Sequence, residues 1–233
     1  MARGRAGRDV EFGAAGSPPA GRRGYRALPA SGRGRGVLVL HGASGLGDFP
    51  RDACDRLARE GFAALAPDLY RGRRAADAAE AMRLAAELDL GPVGEDLDAA
   101  VTELLSCEAT EGPRIGALGF DLGGEIALLA AERSHRVGAA VDFYGVLPQP
   151  ELASAPREAA VLGISGERDE ILPPLRARQR CAALEAAGAR VRWRTLPGAG
   201  HAFMDPTRPE AFDARAAAEG WEALLAFLRA ELP

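Results

Sequence analysis

Short unbroken apolar runs alternate along the chain with longer segments that carry apolar residues at helical spacing. The run from Val37 to Leu40 is β-prone throughout, which is typical of a parallel strand buried on both faces. Alternation of such strands with helices predicts an α/β fold, a doubly wound and mostly parallel sheet with helices on both faces. The other predicted strands are 62–66, 115–118, 139–144, 160–164 and 191–196, and the predicted helices are 51–60, 75–88, 95–105, 125–132, 175–187 and 216–232, with Gly91 and Pro92 separating the second helix from the third.

The segment before the first buried strand differs from the rest of the chain. Residues 1–8 are rich in Arg and Gly and are predicted to be a disordered arm. From Asp9 to Pro29, short apolar pieces interrupted by Gly and Pro predict a hairpin at the edge of the sheet. The length of 233 residues is within the range of a single α/β domain, so we expect one domain over residues 9–233.

Composition and charge exclude several classes of function. Apolar residues make up 47% of the chain, but no apolar run approaches the ~18 residues that cross a bilayer, so we expect a soluble protein without membrane partners. The net charge is −4 and the body of the chain balances its arginines with acids, which argues against a nucleic-acid partner. The N-terminus lacks the apolar core of a signal peptide, so cytoplasmic localisation is expected. Cys54, Cys107 and Cys181 fit neither a disulfide framework nor a zinc site, and we expect no metal and no redox cofactor.

A glycine-rich turn lies between the predicted strand 115–118 and the predicted helix 125–132. Its sequence is Gly119-Phe120-Asp121-Leu122-Gly123-Gly124. The spacing of its glycines is that of the nucleophile elbow of α/β-hydrolases, whose motif is G-x-S-x-G. So tight a turn needs residues without a Cβ beside its central position, because the strand and the helix come close there. The central residue here is aspartate, so the predicted site presents the Asp121 carboxylate at the carboxyl edge of the sheet.

Two further residues complete a candidate catalytic triad. Triads of this fold follow the chain order nucleophile, acid, histidine, and this chain offers Asp121, Asp169 and His201 in that order. Asp169 and His201 follow the predicted strands 160–164 and 191–196, so both fall at the sheet edge where the elbow points. A histidine between two carboxylates is expected to have a pKa above its ordinary value of ~6.5. Tyr144, at the end of strand 139–144, is either a hydrogen-bond donor to the pocket or a packing residue.

Several segments together resemble the dienelactone hydrolase family. They are Val37 to Gly42, Gly61 to Tyr70, Gly119 to Gly124, Phe143 to Gly145, Gly166 to Asp169 and Gly200 to Phe203. The resemblance implies an α/β-hydrolase fold without a cap domain and a hydrolase that acts on a small-molecule substrate without a cofactor. It implies a triad of Asp121, His201 and Asp169. It also implies an oxyanion hole formed by the backbone N–H groups of Leu122 and Ala43, next to Gly42.

Three positions depart from the pattern of that family. The family carries a cysteine where this chain has Asp121, and typically a glutamate that helps to activate it where this chain has Gly42. Its dienelactone-cleaving members also carry a carboxylate-binding arginine where this chain has Asp205. The thiol chemistry of the family is therefore absent, and an acidic dienelactone is not the expected substrate.

An aspartate at the elbow leaves several interpretations open. Attack on an ester would lead to a mixed anhydride, but the tetrahedral intermediate would collapse backward because a carboxylate leaves more easily than an alkoxide. Attack on saturated carbon would give an alkyl ester that His201 helps to hydrolyse, as in dehalogenases and epoxide hydrolases on related folds, although those relatives usually place a tryptophan where this chain has Leu122. Asp121 and His201 could instead act as a general acid and base.

We expect a hydrolase of the α/β-hydrolase superfamily with Asp121 as nucleophile or general base. The alternatives are a lyase, cyclase or isomerase that uses the same residues for acid–base chemistry, and a catalytically inactive binding protein. The sequence leaves both a monomer and a homodimer open.

Overall fold

The sheet at the centre of the protein has eight strands, in a computed structural model that describes residues 6–13, 21–146 and 156–232. The strands are β1 (Arg8–Phe12), β2 (Arg22–Ala27), β3 (Gly34–Leu40), β4 (Ala63–Pro67), β5 (Thr110–Phe120), β6 (Val137–Phe143), β7 (Ala160–Gly166) and β8 (Arg190–Leu196). The helices are α1 (Asp48–Arg59), α2 (Ala78–Ala86), α3 (Leu90–Ser106), α4 (Leu122–Arg133), α5 (Pro174–Ala186) and α6 (Ala214–Glu231).

The order of the strands brings the ends of several strands together at one edge of the sheet. The order is β1-β2-β4-β3-β5-β6-β7-β8, and every pair from β4 through β8 is parallel. Because parallel strands end on the same side, the loops that follow β3, β5, β7 and β8 meet at the carboxyl edge. The predicted doubly wound, mostly parallel sheet is therefore present.

The core is divided between the two faces of this sheet. Along β3, Val37 and Val39 pack in a cluster with α1 and α6, whereas Leu38 and Leu40 pack in a cluster with α2, α3, α4 and α5. Successive side chains of a strand point to opposite faces, and here both faces are covered by helices. This is why an unbroken apolar run, and not an alternating one, encodes the strand.

The predicted edge hairpin is also present. β1 pairs antiparallel with β2, and β2 pairs antiparallel with β4, so the hairpin forms one border of the sheet. Residues 1–5 of the predicted disordered arm and residues 14–20 of the predicted hairpin lie outside the described residues. Ordered contacts begin before residue 9, since Arg8 starts β1 and the Gly7 N–H donates to Asp55 Oδ1 at 2.9 Å.

One predicted helix boundary is wrong. Gly91 and Pro92 were expected to separate two helices, but both lie in the first turn of α3, which begins at Leu90. Asp89 caps this helix, because its side chain accepts the Gly91 N–H at 2.9 Å. Proline is tolerated in a first turn, where its missing N–H has no intrahelical acceptor to lose. No helix among the described residues is both long and apolar enough to cross a membrane.

The prediction of a single domain can be tested by limited proteolysis. β3 and α6 are far apart in sequence but share one core cluster, and Arg35 of β3 donates to the Arg229 carbonyl of α6 at 3.2 Å. We therefore expect one resistant fragment that contains both elements, as measured by mass spectrometry of the digest. Cleavage into two separately stable fragments, one with each element, would contradict the single domain.

Candidate active site

A strained turn between β5 and α4 carries Asp121. Its backbone angles are φ 53° and ψ −128°, a combination that residues other than glycine rarely adopt. The Asp121 N–H donates to the Phe143 carbonyl at 3.0 Å, and the Gly124 N–H donates to the Asp121 carbonyl at 2.9 Å. Strain of this kind persists only where the surrounding structure enforces it, and it is concentrated at functional sites.

Two glycines make this turn sterically possible. A Cβ on Gly119 would lie 1.9 Å from the carbonyl oxygen of Gly123. A Cβ on Gly123 would lie 2.2 Å from the carbonyl oxygen of Leu40 in β3. Both distances are far shorter than van der Waals contact, so the close approach of α4 to β5 and β3 requires glycine at both positions, as the elbow motif indicates.

The three predicted triad residues lie together at the carboxyl edge of the sheet. His201 Nδ1 is 2.9 Å from Asp169 Oδ2, which is a hydrogen bond. His201 Nε2 is 3.6 Å from Asp121 Oδ1, slightly longer than a hydrogen bond. Catalytic contacts are often this loose before a substrate binds. His201 thus lies between the two carboxylates, with one ring nitrogen facing each.

Asp169 is held as a buried and fully hydrogen-bonded carboxylate on the loop after β7. Its side chain is buried, and its Oδ1 accepts the backbone N–H groups of Ile171 at 2.9 Å and Leu172 at 2.7 Å. Its Oδ2 faces His201 Nδ1. Because both oxygens have donors, the carboxylate is fixed in one orientation, which in turn fixes the plane of the imidazole ring.

The two carboxylates favour the charged form of His201. Burial of the ring opposes that charge, but the contacts with Asp121 and Asp169 outweigh burial and raise the pKa of His201 to about 9. The predicted upward shift is confirmed. At neutral pH the ring is therefore an imidazolium, which can donate a proton but cannot accept one until its surroundings change.

The loop after β3 brings a backbone donor to the elbow. The Ala43 N–H donates to Asp121 Oδ2 at 3.0 Å, so the amide expected in the oxyanion hole contacts the carboxylate itself. Leu122 is the first residue of α4, where an N–H has no intrahelical acceptor, and its side chain is buried in the core. The Ala43 N–H therefore lies at the Asp121 carboxylate, and the role expected of the Leu122 N–H stays a prediction.

Gly42 leaves room for the aspartate. A Cβ at this position would lie 3.2 Å from Asp121 Oδ2 and 3.2 Å from the Phe120 carbonyl oxygen, which is tight. The preceding His41 is buried, and burial lowers its pKa, so the ring is neutral. His41 Nε2 accepts the Leu69 N–H at 3.1 Å, and its Nδ1 contacts the Gly42 carbonyl at 2.9 Å. This histidine fixes the shape of the loop.

Tyr144 packs against the histidine on the side of the core. Its ring centroid is 5.0 Å from that of His201 in an edge-on arrangement, and only 1% of the residue is exposed. Burial raises the pKa of its phenol, so the hydroxyl stays protonated and can donate a hydrogen bond. Its backbone is strained, with φ 45°. Tyr144 also borders the cavity described next, so its expected role in substrate binding stays a prediction.

A cavity of about 250 Å³ lies above the elbow, and it contains charged residues that no sequence motif indicated. Arg74 and Arg208 line it together with Asp205, the residue at the position where the resemblance places an arginine. Arg208 forms an ion pair with Glu210 at 3.2 Å. Arg74 lies against Gly47 and forms no ion pair with any carboxylate of the described residues. Cationic groups thus reach the cavity from loops that the sequence motifs do not cover.

Other parts of the described structure are weaker candidates for a catalytic or metal-binding site. An open groove of about 880 Å³ lies at the opposite edge of the sheet and is lined by Arg26, Glu103 and Ala109 among others, but by none of the triad residues. Within the described ranges, no group of three histidine, cysteine or carboxylate side chains is arranged to hold a metal ion. The cavity at the elbow is therefore the candidate site.

A buried charged cluster lies beneath the elbow. The Arg180 guanidinium of α5 pairs with Glu125 in the first turn of α4 and lies 3.5 Å from Asp142 Oδ2 at the end of β6. Arg180 also donates to the Gly145 carbonyl at 3.2 Å, and Asp142 Oδ1 accepts the Gly145 N–H at 2.7 Å. The cluster thereby fixes the strained turn that presents Tyr144 to the histidine.

Two carboxylates share the single guanidinium of this cluster. Burial raises the pKa of Asp142 to about 7, whereas its hydrogen bond from Gly145 favours the charged form. The Arg180 guanidinium lies closer to Glu125 than to Asp142. Burial lowers the pKa of Arg180 to about 10. The second carboxylate is therefore only partly compensated, which accounts for the direction of the shift at Asp142. No motif indicated these residues, because their meeting depends on the packing of three distant elements.

Comparison with known proteins identifies the family. The model of the dienelactone hydrolase family matches residues 23–232. The chain belongs to the dienelactone hydrolase family. An Aquifex aeolicus protein provisionally named a carboxymethylenebutenolidase is 30% identical over 90% of this chain and 94% of its own length. A Salmonella typhimurium protein with the same provisional name is 33% identical over 81% of this chain and 74% of its own length.

Solved structures of this family share the fold of the whole chain. A provisionally named dienelactone hydrolase from Klebsiella pneumoniae is 28% identical, with a TM-score of 0.83 over 96% of this chain and 98% of its own. A dienelactone hydrolase-like promiscuous phosphotriesterase, P91, from metagenomic libraries is 25% identical, with a TM-score of 0.84 over 97% of this chain and 98% of its own. The predicted α/β-hydrolase fold and the prediction of a hydrolase are confirmed.

The charge of His201 in this dienelactone hydrolase family member can be measured by NMR. Asp121→Asn removes one of the two carboxylates while burial still opposes the charge, so the titration midpoint of His201 should fall below the wild-type value of about 9. The stabilisation that the imidazolium provides is present in full below ~6.5, the unfolded-state pKa, and is lost as the pH rises through about 9. A midpoint that is unchanged in Asp121→Asn would show that Asp121 does not act on the ring. His135→Ala, at an exposed site, is the matched control.

The buried cluster should be essential for stability. Arg180→Met leaves Glu125 buried without its cation, which is expected to cost about 3–5 kcal/mol. Asp142→Asn removes the carboxylate that is least well compensated, so its effect should be much smaller. Chemical denaturation would measure both changes, with Arg178→Met at an exposed position of the same helix as the control. Equal effects of Arg180→Met and Arg178→Met would contradict the role given to the cluster.

Proposed function

We propose that this protein hydrolyses a small organic molecule through a catalytic triad of Asp121, His201 and Asp169. The observation that carries the proposal is the placement of His201 between the two carboxylates, 2.9 Å from Asp169 and 3.6 Å from an aspartate on a strained elbow. Strain at an ionisable residue is costly and is retained where the geometry is used. The cavity of about 250 Å³ above the elbow suits a small molecule.

Each member of the triad has a distinct role in this proposal. Asp169 orients the ring and stabilises the imidazolium, as the buried acid of a triad does. His201 transfers protons between substrate, water and leaving group. Asp121 is the group that attacks the substrate or activates water. The Ala43 and Leu122 N–H groups supply the backbone donors beside it.

The relatives support hydrolysis but do not name one substrate. The names of the matched relatives include carboxymethylenebutenolidase, and one related structure is named a promiscuous phosphotriesterase. Asp205 occupies the position where dienelactone-cleaving members of the family have an arginine. Arg74 and Arg208 bring positive charge to the same cavity, but Asp48 and Asp205 also line it and Arg208 is paired with Glu210. The charges of the cavity therefore do not select an acidic substrate.

A second candidate is acid–base catalysis without net hydrolysis, in a lyase, cyclase or isomerase. One observation favours it: the raised pKa of His201, about 9, makes the ring an acid in the free protein. Such a site could protonate an enolate or a leaving group while Asp121 removes a proton. The products distinguish the two candidates, because only hydrolysis cleaves a bond of the substrate with the addition of water across it.

The triad can be tested on a panel of p-nitrophenyl esters, lactones, a phosphotriester and alkyl halides. Asp121→Asn and His201→Ala should each lower kcat by about 10²–10⁴-fold on any compound that the wild type turns over, because both residues handle charge in the transition state. His135→Ala should leave the rate unchanged. Circular dichroism would confirm that the variants are folded. Activity within a few-fold of wild type in both triad variants would place the chemistry elsewhere.

A further inference from the structure

The two oxygens of Asp121 have different surroundings. Oδ2 accepts the Ala43 N–H at 3.0 Å, whereas Oδ1 faces His201 Nε2 at 3.6 Å. In hydrolases with a serine at the elbow, the backbone donors of this loop receive the carbonyl oxygen of the substrate. Here the amide of Ala43 already binds an oxygen of the protein. Gly42 makes this possible, since a Cβ there would crowd Oδ2 at 3.2 Å.

This arrangement disfavours attack on an ester carbonyl for two reasons. The developing oxyanion of the substrate would have to displace Oδ2 from the Ala43 donor. The tetrahedral intermediate of this attack would also collapse backward, because the carboxylate is a better leaving group than the alkoxide whose loss would give a mixed anhydride. Attack on an electrophile that develops no oxyanion in the first step avoids both the displacement of Oδ2 and the backward collapse.

We propose that Asp121 Oδ1 attacks a saturated carbon that carries a leaving group able to depart as an anion, with an alkyl halide as the substrate class. This rests on the proposed function and specifies its first step. An electron pair of Oδ1 forms the new C–O bond, and the electrons of the carbon–halogen bond leave with the halide. No proton is transferred. Asp121 becomes an alkyl ester whose carbonyl oxygen is Oδ2, still bound to the Ala43 N–H.

The same geometry then serves the hydrolysis of that ester. Water attacks the Asp121 carboxyl carbon and gives a proton to His201 Nε2, while negative charge develops on Oδ2, where Ala43 donates. Collapse of this intermediate expels the alkoxide, which takes the proton from His201 and leaves as an alcohol. Asp121 is regenerated with one oxygen from water. The sum is alkyl halide plus water giving alcohol, halide and a proton.

Alkylation of Asp121 also changes the electrostatic surroundings of His201 in the direction that the second step needs. In the free protein the ring lies between two carboxylates and is charged. The alkyl ester carries no charge, so one of the two groups that support the imidazolium is lost while burial still opposes it. The pKa of the ring therefore falls after the first step, when a base is needed.

The cavity provides for the departing anion. Arg74 lines it. Asp48 and Asp205 line it as well, but Arg74 forms no ion pair with a carboxylate of the described residues, so its guanidinium is available to a halide. Arg208 lines the same cavity from the loop after the triad histidine. A cavity of about 250 Å³ accommodates a short alkyl chain.

The decisive experiment traps the intermediate. Wild-type protein incubated with bromoethane should release bromide and ethanol, and turnover in ¹⁸O-water should place label in the Asp121 peptide. His201→Ala should stop after the first step, so intact-mass analysis should show up to one added ethyl group per chain, on the Asp121 peptide. The double variant Asp121→Asn/His201→Ala should show no adduct in that peptide, which separates the reaction from alkylation of the three cysteines.

Asp121→Cys provides a complementary test. A thiol has no second oxygen to bind Ala43, so the donor becomes free for a substrate carbonyl. Hydrolysis of p-nitrophenyl acetate should then rise by about 10²-fold, the scale of one oxyanion-hole donor. With bromoethane the same variant should form a thioether in the peptide that carries position 121, and because water cannot cleave a thioether, no ethanol should form there.

The outcomes distinguish this inference from the proposed function. Ester hydrolysis by the wild type that depends on Asp121 and His201, with no ethyl adduct in His201→Ala, would overturn the inference and keep the triad. Bromide release with ¹⁸O found only in ethanol from the first turnover would also overturn it, because water would then be the nucleophile. Absence of Asp121-dependent turnover with every compound tested would overturn both.

Discussion

The close approach of α4 to the ends of β5 and β3 is the constraint on which the candidate site depends. Gly119 and Gly123 have no space for a Cβ, so the chain must turn sharply between them. The turn forces Asp121 into a backbone conformation with φ 53°, and hydrogen bonds to Phe143 and from Gly124 hold it there. The side chain is thereby presented at the sheet edge in one direction. The loops that follow β3, β7 and β8 end at the same edge because all of these strands are parallel.

Electrostatics at this edge follow from the presence of a carboxylate at the elbow. His201 faces two carboxylates, and its pKa rises to about 9 although the ring is mostly buried. The added carboxylate oxygen also finds a donor in Ala43, at a place left open by Gly42. Aspartate at the elbow and glycine in the loop are therefore sterically compatible with each other.

The charged cluster beneath the elbow shows how the surrounding structure supports this geometry. Arg180 connects α5 to α4 through Glu125 and to the end of β6 through Asp142. Both Arg180 and Asp142 also bind the backbone of Gly145, so the turn that carries Tyr144 is held from two sides. Buried ion pairs contribute little to net stability, but leaving one partner alone is costly. Such a cluster fixes the position of the elements that meet at the histidine.

The sequence by itself determined the fold and the identity of the triad candidates. Buried parallel strands require unbroken apolar runs such as Val37 to Leu40, and the elbow requires glycines at fixed spacing. Both features can therefore be recognised in the sequence alone. The order of Asp121, Asp169 and His201 follows from the order of strands whose ends must share an edge. Local signals were less reliable at Gly91 and Pro92, which lie in the first turn of a helix that begins at Leu90 and is capped by Asp89.

Only the tertiary structure decided which atoms meet. The contact of Asp121 Oδ2 with Ala43, the access of Arg74 to the cavity, and the pairing of Arg180 with Glu125 and Asp142 join residues that are far apart in the chain. No motif encodes these contacts, because they depend on how loops and helices from different strands pack at one edge. The sequence specifies which chemical groups reach that edge, and the packing specifies the orientation and charge with which they face each other.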